Sequence, residues 1–98
     1  MSRRHRVNCV IDRILEEIWD KYKYTPLSID DFNVEPRFLA ASILEEEFGW
    51  KRSKLVKVQF DIDDDDGKLM IVFYDNRYNK RLNDIDELIE ILYGGYLL

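Results

Sequence analysis

The hydrophobic positions at the start of the chain repeat with the period of an α-helix. Between Val7 and Tyr22 they recur every three or four residues, as on one face of an amphipathic helix. Cys9, Asp12 and Glu16 fall on the opposite, exposed face. The pattern predicts a helix over residues 7–22 whose apolar stripe consists of Val7, Val10, Ile11, Ile14, Leu15, Ile18, Trp19 and Tyr22.

Two prolines and a glycine divide the segment that follows. Pro26 closes the first helix, because proline disfavours helical geometry in the residue before it. Ser28 and Asp31 have the spacing of a capping box, which predicts one short helical turn. Pro36 suits the first turn of a longer helix with the sequence EPRFLAASILEEEF, and Gly49 ends that helix.

The stretch from Lys54 to Asp75 has the pattern of a β-hairpin. Apolar and polar side chains alternate in its first strand, so one face should be buried and the other exposed. The apolar set is Val56, Val58, Phe60 and Ile62, and the polar set is Lys57, Gln59 and Asp61. The second strand, LMIVFY, is apolar on both faces, which predicts that it is covered on both sides. Between the strands, Asp66-Gly67 is a favoured turn pair.

Turn-forming residues separate the hairpin from a last helix. The segment NRYNKR reads as a basic loop, Asn83 is expected to cap the helix DIDELIEILY, and Gly94-Gly95 ends it. The chain is therefore predicted to be one α+β domain, residues 1–98, in the order α, short α, α, β, β, α. An antiparallel hairpin packs on the helices, and residues 1–6 are expected to form a flexible basic arm.

Composition narrows the class of protein. A chain of 98 residues suffices for one core, and its 46% hydrophobic and 13% aromatic content argues against disorder. The net charge of −5 repels phosphate backbones, which lowers the expectation of nucleic-acid binding without removing it. No membrane association is expected, since the longest apolar run, Leu69 to Tyr74, is far shorter than the roughly 20 residues of a membrane span. With Cys9 as the only cysteine, no intramolecular disulfide can form, and a cytoplasmic location is expected.

Five aspartates crowd the turn of the hairpin. We refer to them as the acidic turn: Asp61, Asp63, Asp64, Asp65 and Asp66. An EF-hand loop with Gly67 at its sixth position would need glutamate at its twelfth, where Phe73 stands. The spacing excludes an EF-hand, and no metal site is predicted, although an acidic turn of another kind can hold a hard cation weakly. Two further roles remain for the acidic turn: a solvated turn that discourages aggregation, or a surface that binds a basic partner protein.

Catalytic chemistry lacks its usual components. His5, the only histidine, lies one helical turn before Cys9, but no third group accompanies this pair at an exposed helix end. The chain has no glycine-rich phosphate loop and no second histidine for a Ser/His/Asp set. The protein is therefore predicted not to be an enzyme and to need no cofactor.

The order of segments in residues 7–75, three helical pieces and then a hairpin, resembles that of a winged-helix domain. The resemblance implies a third helix that enters the DNA groove and a hairpin that acts as the wing. Here that helix carries Glu35, Glu45 and Glu46, and the wing carries the acidic turn, so both would repel phosphate. If nucleic acid is bound, a different group of residues, the basic set, is the expected contact. The basic set comprises Arg3, Arg4, Arg6, Lys51, Arg52, Lys54 and Lys57.

These patterns favour a non-enzymatic interaction or inhibitory module whose acidic surface and aromatic residues engage a basic partner protein. One version of this hypothesis is an acidic mimic of nucleic acid that occupies the site of a DNA- or RNA-binding enzyme. The alternative is a winged-helix-like regulator that binds DNA or RNA through the basic N-terminal arm. A third hypothesis is a homodimer joined through the apolar end of the chain. Its interface would comprise Tyr93, Tyr96, Leu97 and Leu98.

Overall fold

The first helix, α1 (Arg3–Tyr22), begins earlier than the hydrophobic pattern predicts. In this computed structural model, which describes residues 2–94, Ser2 caps the helix. Its hydroxyl oxygen accepts a 3.1 Å hydrogen bond from the His5 amide. A polar segment can be helical when its first amides find such acceptors, which the apolar period alone does not reveal. The buried residues of α1 belong to the predicted stripe and are Val7, Val10, Ile14 and Ile18.

The predicted short turn and longer helix both form. In α2 (Ile29–Phe32), the Asp31 amide donates to the Ser28 hydroxyl at 3.3 Å, and the Ser28 amide donates to the Asp31 carboxylate at 3.1 Å. The predicted capping box is therefore confirmed. Pro36 lies in the first turn of α3 (Glu35–Phe48), where its missing amide proton leaves no hydrogen bond unmade.

Gly49 separates α3 from a further turn of helix, α4 (Trp50–Ser53), which the sequence pattern did not predict. The Gly49 amide donates to the Glu45 carbonyl at 2.8 Å, and the φ of Gly49 is +88°. Glycine adopts this backbone conformation at little steric cost because it has no Cβ. The predicted helix end at Gly49 is confirmed, and the extra turn carries the chain to the start of the sheet.

The hairpin forms the predicted antiparallel pair and gains a third strand. Strand β1 (Val56–Ile62) pairs with β2 (Leu69–Asp75), which also pairs with β3 (Lys80–Arg81). Sequence reasoning assigned β3 to a loop, because a two-residue strand has no alternating pattern. The order β1-β2-β3 leaves β1 and β3 as edge strands, and the register sets Val58 opposite Phe73.

Strand β2 is covered on both faces only in its second half. Val72 and Phe73 point to opposite faces and expose 7% and 9% of their surface. At the turn, Leu69 pairs with Ile62, and these side chains expose 37% and 45%. The predicted cover on both sides is therefore confirmed in the middle of the strand and wrong at the turn.

The last helix, α5 (Ile85–Tyr93), is capped by Asp84 and not by Asn83 as the sequence suggested. The Asp84 carboxylate accepts a 3.1 Å hydrogen bond from the Glu87 amide. Asn83 instead uses its backbone, whose amide donates to the Glu87 carboxylate at 2.6 Å. Asparagine and aspartate can both cap a helix. The negative charge of Asp84 also interacts favourably with the positive end of the helix dipole.

Helices and sheet share one core. Helices α3 and α5 contact β1, and α1 packs on both helices. Arg13 joins α1 to the end of α3 through ion pairs with Glu46 at 2.8 Å and Glu47 at 3.3 Å, and the carboxylates around Arg13 raise its pKa. The buried cluster contains Val7, Val10, Ile14, Ile18, Ala40, Ile43, Leu44, Val56, Val58, Phe60, Phe73, Leu88, Ile91 and Leu92. The α+β class and the packing of the hairpin on helices are as predicted.

Candidate functional site

Hydrogen bonds to two of its own carboxylates stabilise the acidic turn. Asp63 Oδ1 accepts a 2.8 Å hydrogen bond from the Asp65 amide, and Asp66 Oδ1 accepts one of 2.9 Å from the Lys68 amide. The carboxylates of Asp64 and Asp65 are exposed and bond to no other group within residues 2–94. Asp63 and Asp66 therefore have a structural role, whereas Asp64 and Asp65 are available to a partner.

The fifth aspartate, Asp61, lies near the end of β1. Its carboxylate is exposed and accepts a 2.8 Å hydrogen bond from the next amide, that of Ile62. Across the described part of the chain, no three His, Cys, Asp or Glu side chains converge as a metal ion would require. The aspartates thus form an exposed charged surface and not a coordination pocket.

An apolar groove adjoins the acidic turn, where α1, α2 and the first residue of β2 meet. It has a volume of about 350 Å³. We call it the apolar groove, and its lining residues are Leu15, Ile18, Trp19, Tyr22, Lys23, Phe32 and Leu69. Leu69 follows Asp66 after only Gly67 and Lys68, so the acidic turn and the groove are neighbours along the chain. Trp19 was predicted on the buried stripe, but 66% of its surface is exposed here.

Tyr22 lines the apolar groove and also carries a buried polar atom. Its hydroxyl oxygen is buried and satisfies no hydrogen-bond geometry with residues 2–94. Burial raises the pKa of Tyr22, the nearby Glu35 carboxylate raises it further, and Lys21 acts in the opposite direction.

The arginines of the expected N-terminal arm lie in the first turns of α1. Arg4 forms an ion pair with Asp86 of α5. The Arg3 guanidinium lies 5.0 Å from the centre of the Tyr93 ring, at the end of the same helix. Arg6, one turn further along, donates to the Tyr93 hydroxyl at 3.3 Å. These side chains therefore join the start of α1 to α5.

Two arginines of the basic set bind carbonyls at helix C-termini. Arg6 donates to the Glu47 carbonyl in the last turn of α3, and its guanidinium lies 4.7 Å from the Phe48 ring centre. Arg52 donates to the Leu92 carbonyl in the last turn of α5. A cation at this position satisfies a carbonyl without an intrahelical partner and opposes the negative end of the helix dipole. Both arginines therefore contribute to the fold.

The three lysines of the basic set remain unpaired. Lys51, Lys54 and Lys57 form no ion pair within residues 2–94. Lys54 Nζ lies 4.1 Å from the centre of the Trp50 ring, and Lys57 Nζ lies 5.6 Å from that of Tyr74. The structure therefore divides the basic set into arginines that hold helices together and lysines whose charge faces solvent.

Positive charge is concentrated at the end of the hairpin opposite the acidic turn. The only acid in segments 50–57 and 74–81 is Asp75, whose carboxylate Arg77 binds at 2.9 Å; this contact lowers the pKa of Asp75. The basic residues of these segments are Lys51, Arg52, Lys54, Lys57, Arg77, Lys80 and Arg81. The two ends of β1, Val56 and Ile62, are about 20 Å apart, because each strand residue advances about 3.3 Å. Sequence reasoning missed this grouping, since strand pairing brings the two segments together.

A second groove lies between α3 and the edge strand β1. Its volume is about 290 Å³. We call it the edge groove; the larger side chains that line it are Arg37, Phe38, Glu45, Trp50, Lys54 and Lys57. Phe38 and Trp50 expose 68% and 58% of their surface, and the backbone from Val56 to Val58 lies along one side. No local pattern predicts this groove, because the packing of α3 on β1 creates it.

The predicted dimer interface is described in part. The ring of Tyr93 meets that of Phe48 edge-on, with centroids 5.7 Å apart, and it also contacts Arg3 and Arg6. Tyr93 is therefore half-buried within the domain. The other three residues, Tyr96, Leu97 and Leu98, lie outside the described residues, so a role in dimerisation stays a prediction.

Cys9 and His5 lie together on the exposed face of α1. Cys9 Sγ is 3.5 Å from His5 Nε2, and the predicted exposure of Cys9 is confirmed. Within residues 2–94, no further side chain bonds to this pair.

No helix within residues 2–94 combines the length and apolar character needed to cross a membrane.

Comparison of the chain with protein-family models, with curated proteins and with solved structures finds no match.

Proposed function

We propose that this protein is a non-enzymatic interaction module that binds a basic segment of a partner protein across the acidic turn and the apolar groove. The observation that carries the proposal is that Leu69, which lines the apolar groove, follows the acidic turn after only two residues. Trp19 lies exposed at the groove, and exposed aromatic residues beside apolar grooves are typical of interaction sites. A charged surface next to such a groove fixes the direction in which a partner segment binds.

The two surfaces require different features of the partner. An apolar side chain would fill the groove beside Trp19 and Tyr22, and lysine or arginine side chains would meet Asp64 and Asp65. Buried aromatic contacts supply most of the affinity in such sites, whereas exposed charges act mainly on association rate and specificity. We therefore expect binding that weakens as salt concentration rises but is not abolished.

An inhibitory role is the form of this proposal in which the basic segment belongs to a nucleic-acid-binding enzyme. The acidic turn would then take the place of phosphate groups. The exposed carboxylates of Asp64 and Asp65, which bond to no other group within residues 2–94, support this version. A competition assay distinguishes it, because the captured enzyme would lose its nucleic acid when this protein binds.

The role of the acidic turn is tested with tagged full-length protein, which is used to capture a partner from a lysate of the native host. The double variant D64N/D65N removes two charges and leaves the aspartates that hold the turn. The matched control D12N/E16Q removes the same charge from the exposed face of α1. We expect the partner to elute at lower salt from D64N/D65N and at unchanged salt from the control. Equal elution from both variants would contradict the role of the acidic turn.

The role of the apolar groove is tested with Trp19→Ala, and Trp50→Ala is the control. Both tryptophans are more than half exposed, so neither change removes core packing. We expect Trp19→Ala to lose the partner that Trp50→Ala retains, since only Trp19 lines the apolar groove. Retention by both variants would show that the partner binds elsewhere.

The alternative function, nucleic-acid binding, is supported by Lys51, Lys54 and Lys57 beside the exposed Trp50. Lysines bind phosphate, and an exposed ring can stack on a base. Fluorescence anisotropy at low salt with single-stranded and duplex oligonucleotides tests it. The alternative expects binding that the triple Lys→Ala variant abolishes, and absence of binding at low ionic strength removes it.

A further inference from the structure

One face of α3 carries apolar side chains that the domain leaves exposed. Phe38 and Ala41 are three residues apart and share that face, and Glu45 follows one turn later. Phe38 exposes 68% of its surface, and Trp50, just beyond the end of α3, exposes 58%. Within residues 2–94, neither ring packs against the buried core. Both rings and the small side chain of Ala41 line the edge groove, so its helix side is an apolar surface that solvent reaches.

The strand side of the edge groove offers no free backbone. Val56 and Val58 line the groove, but they expose only 7% and 2% of their surface and belong to the buried core. Further along β1, the Asn33 carboxamide binds the amide and the carbonyl of Phe60. A segment in the groove therefore contacts side chains and does not join the sheet. A helix suits such a site, because it satisfies its own backbone hydrogen bonds.

Cations without an ion-pair partner border the edge groove. Arg37, Lys54 and Lys57 line it, and none of the three forms an ion pair within residues 2–94. Lys54 Nζ lies 4.1 Å from the centre of the Trp50 ring, so positive charge and apolar surface are adjacent. Among the described lining residues, Glu45 is the only acid. The excess of positive charge favours carboxylates on the occupant.

We propose that the edge groove binds an acidic amphipathic helix of a partner protein, which lies along α3. Its apolar side chains, three or four residues apart, would contact Phe38 and Trp50, and acids on its flanks would meet Lys54 and Lys57. Between Phe38 and Glu45 the axis of α3 advances about 10 Å, which two turns of a partner helix match. The edge groove shares no lining residue with the apolar groove, so this site is independent of the function proposed above.

A second copy of this chain is a poor source of the partner helix, although α5 is itself acidic and amphipathic. Helix α5 carries Asp86, Glu87 and Glu90, but its apolar face is buried in the core of its own domain. That face could reach another molecule only if the domain unfolded. The partner helix is therefore expected on a different protein.

The test selects helical peptides, displayed on phage, against the immobilised full-length protein. Each peptide of about 18 residues has leucine at helical spacing, and its flanking positions vary among glutamate, glutamine and lysine. We expect glutamate to be enriched over lysine at the flanks. A synthesised copy of an enriched peptide should gain helical circular dichroism on binding, and a proline at its centre should weaken binding by about tenfold or more.

Aromatic variants locate the peptide on the protein. Trp50→Ala should weaken peptide binding by about tenfold or more, because Trp50 lines the edge groove. Trp19→Ala removes a ring of similar exposure from the apolar groove and should leave peptide binding unchanged. Both side chains are more than half exposed, so neither substitution removes core packing.

Charge variants complete the test. K54E/K57E should weaken peptide binding by about tenfold or more. K51E/R81E makes the same charge change at the same end of the hairpin, outside the edge groove, and should weaken binding by less than about threefold. Should K54E/K57E fail to fold, the tryptophan variants and the proline-containing peptide decide the question.

Three results would overturn the proposal: glutamate is not enriched, the proline-containing peptide binds as tightly as its parent, or Trp50→Ala and Trp19→Ala weaken binding equally. Two competing occupants have their own signatures. If oligothymidylate binds more tightly than the selected peptide and K51E/R81E weakens it as much as K54E/K57E does, the surface is a nucleic-acid site. If light scattering shows self-association that both K54E/K57E and D64N/D65N abolish, the groove binds the acidic turn of a second copy. Either result would make the proposal of a partner helix wrong.

Discussion

The carboxamide of Asn33 takes the place of a neighbouring strand for Phe60. Its Oδ1 accepts a 2.9 Å hydrogen bond from the Phe60 amide, and its Nδ2 donates to the Phe60 carbonyl at 3.1 Å. The same Nδ2 donates to the Ile29 carbonyl at 3.1 Å, so one side chain joins α2 to the edge of the sheet. Since Phe60 is 1% exposed, these bonds satisfy backbone groups that water cannot easily reach.

Asn33→Ala should therefore lower the free energy of unfolding by about 1–3 kcal/mol, because it leaves a buried donor and acceptor unpaired. Urea denaturation followed by circular dichroism measures this change, and the Phe60 amide should exchange faster. Asn8→Ala is the control, since Asn8 is an exposed residue of α1. If the two variants unfold at the same urea concentration, the proposed role of Asn33 at the edge is wrong.

Asp75→Asn should destabilise the protein in a pH-dependent way. Asp75 is 8% exposed, and Arg77 binds its carboxylate at 2.9 and 3.1 Å, which lowers its pKa. The stabilisation is fully present above the unfolded pKa of about 3.9 and is lost as pH falls through the lower folded pKa. We expect a deficit of about 1–3 kcal/mol at neutral pH that narrows in acid.

Urea titrations of wild type and Asp75→Asn at several pH values measure this difference. Asp12→Asn, which changes an exposed aspartate on α1, should show no comparable deficit at neutral pH. A deficit for Asp75→Asn that stays constant into strong acid would mean that it arises from packing and not from the ion pair.

The same substitution at two isoleucines separates buried from exposed positions. Ile14 is 0% exposed in α1, whereas Ile62 is 45% exposed at the end of β1. Ile14→Val should lower the free energy of unfolding by about 0.5–1.5 kcal/mol through lost packing, and Ile62→Val should change it by less. Thermal or urea unfolding compares them, and an equal effect at both sites would contradict the placement of Ile14 in the core.

Gly49→Ala should destabilise the protein through backbone strain alone. Gly49 has φ +88° and ψ 158°, a region that is almost exclusive to glycine, and an added Cβ would meet nothing within 4 Å. We expect a loss of about 1–3 kcal/mol by urea denaturation. Gly67, with φ +70°, is the comparison: Gly67→Asn should be milder, because asparagine tolerates the left-handed region. If alanine at position 49 is neutral, the backbone there is not strained.

Periodicity was sufficient for the three longer helices and for β1 and β2, because burial of one face imposes a repeat on the sequence, whereas α4 and β3 are too short to show one. It failed at Trp19, which is 66% exposed although Ile18 and Tyr22 on the same stripe are buried and half-buried. Periodicity reports the face of the helix on which a side chain lies and not how far the adjacent elements extend across that face. The start of α5 shows a second limit of sequence patterns. Asn83 and Asp84 can both cap a helix, and only the backbone conformation shows that Asp84 is the cap.

The candidate sites were less predictable because they depend on contacts distant in sequence. Arg6 and Arg52 looked equivalent to the neighbouring lysines, but each binds a carbonyl at the end of another helix. The edge groove exists only because α3 packs beside β1. The aspartates of the acidic turn were visible as a group, whereas the division between structural and available carboxylates required their hydrogen bonds.

The separation of charge along the hairpin gives this element a permanent electric dipole, with its negative pole at Asp64 and Asp65 and its positive pole beside Lys54 and Lys57. The net charge of −5 describes the behaviour of the domain only at long range. Closer than about a Debye length, the nearer pole dominates, so the domain should rotate as it approaches a charged surface. It would present the acidic turn to cationic surfaces and the edge groove to anionic ones, and it should adsorb on both anion- and cation-exchange media at low ionic strength.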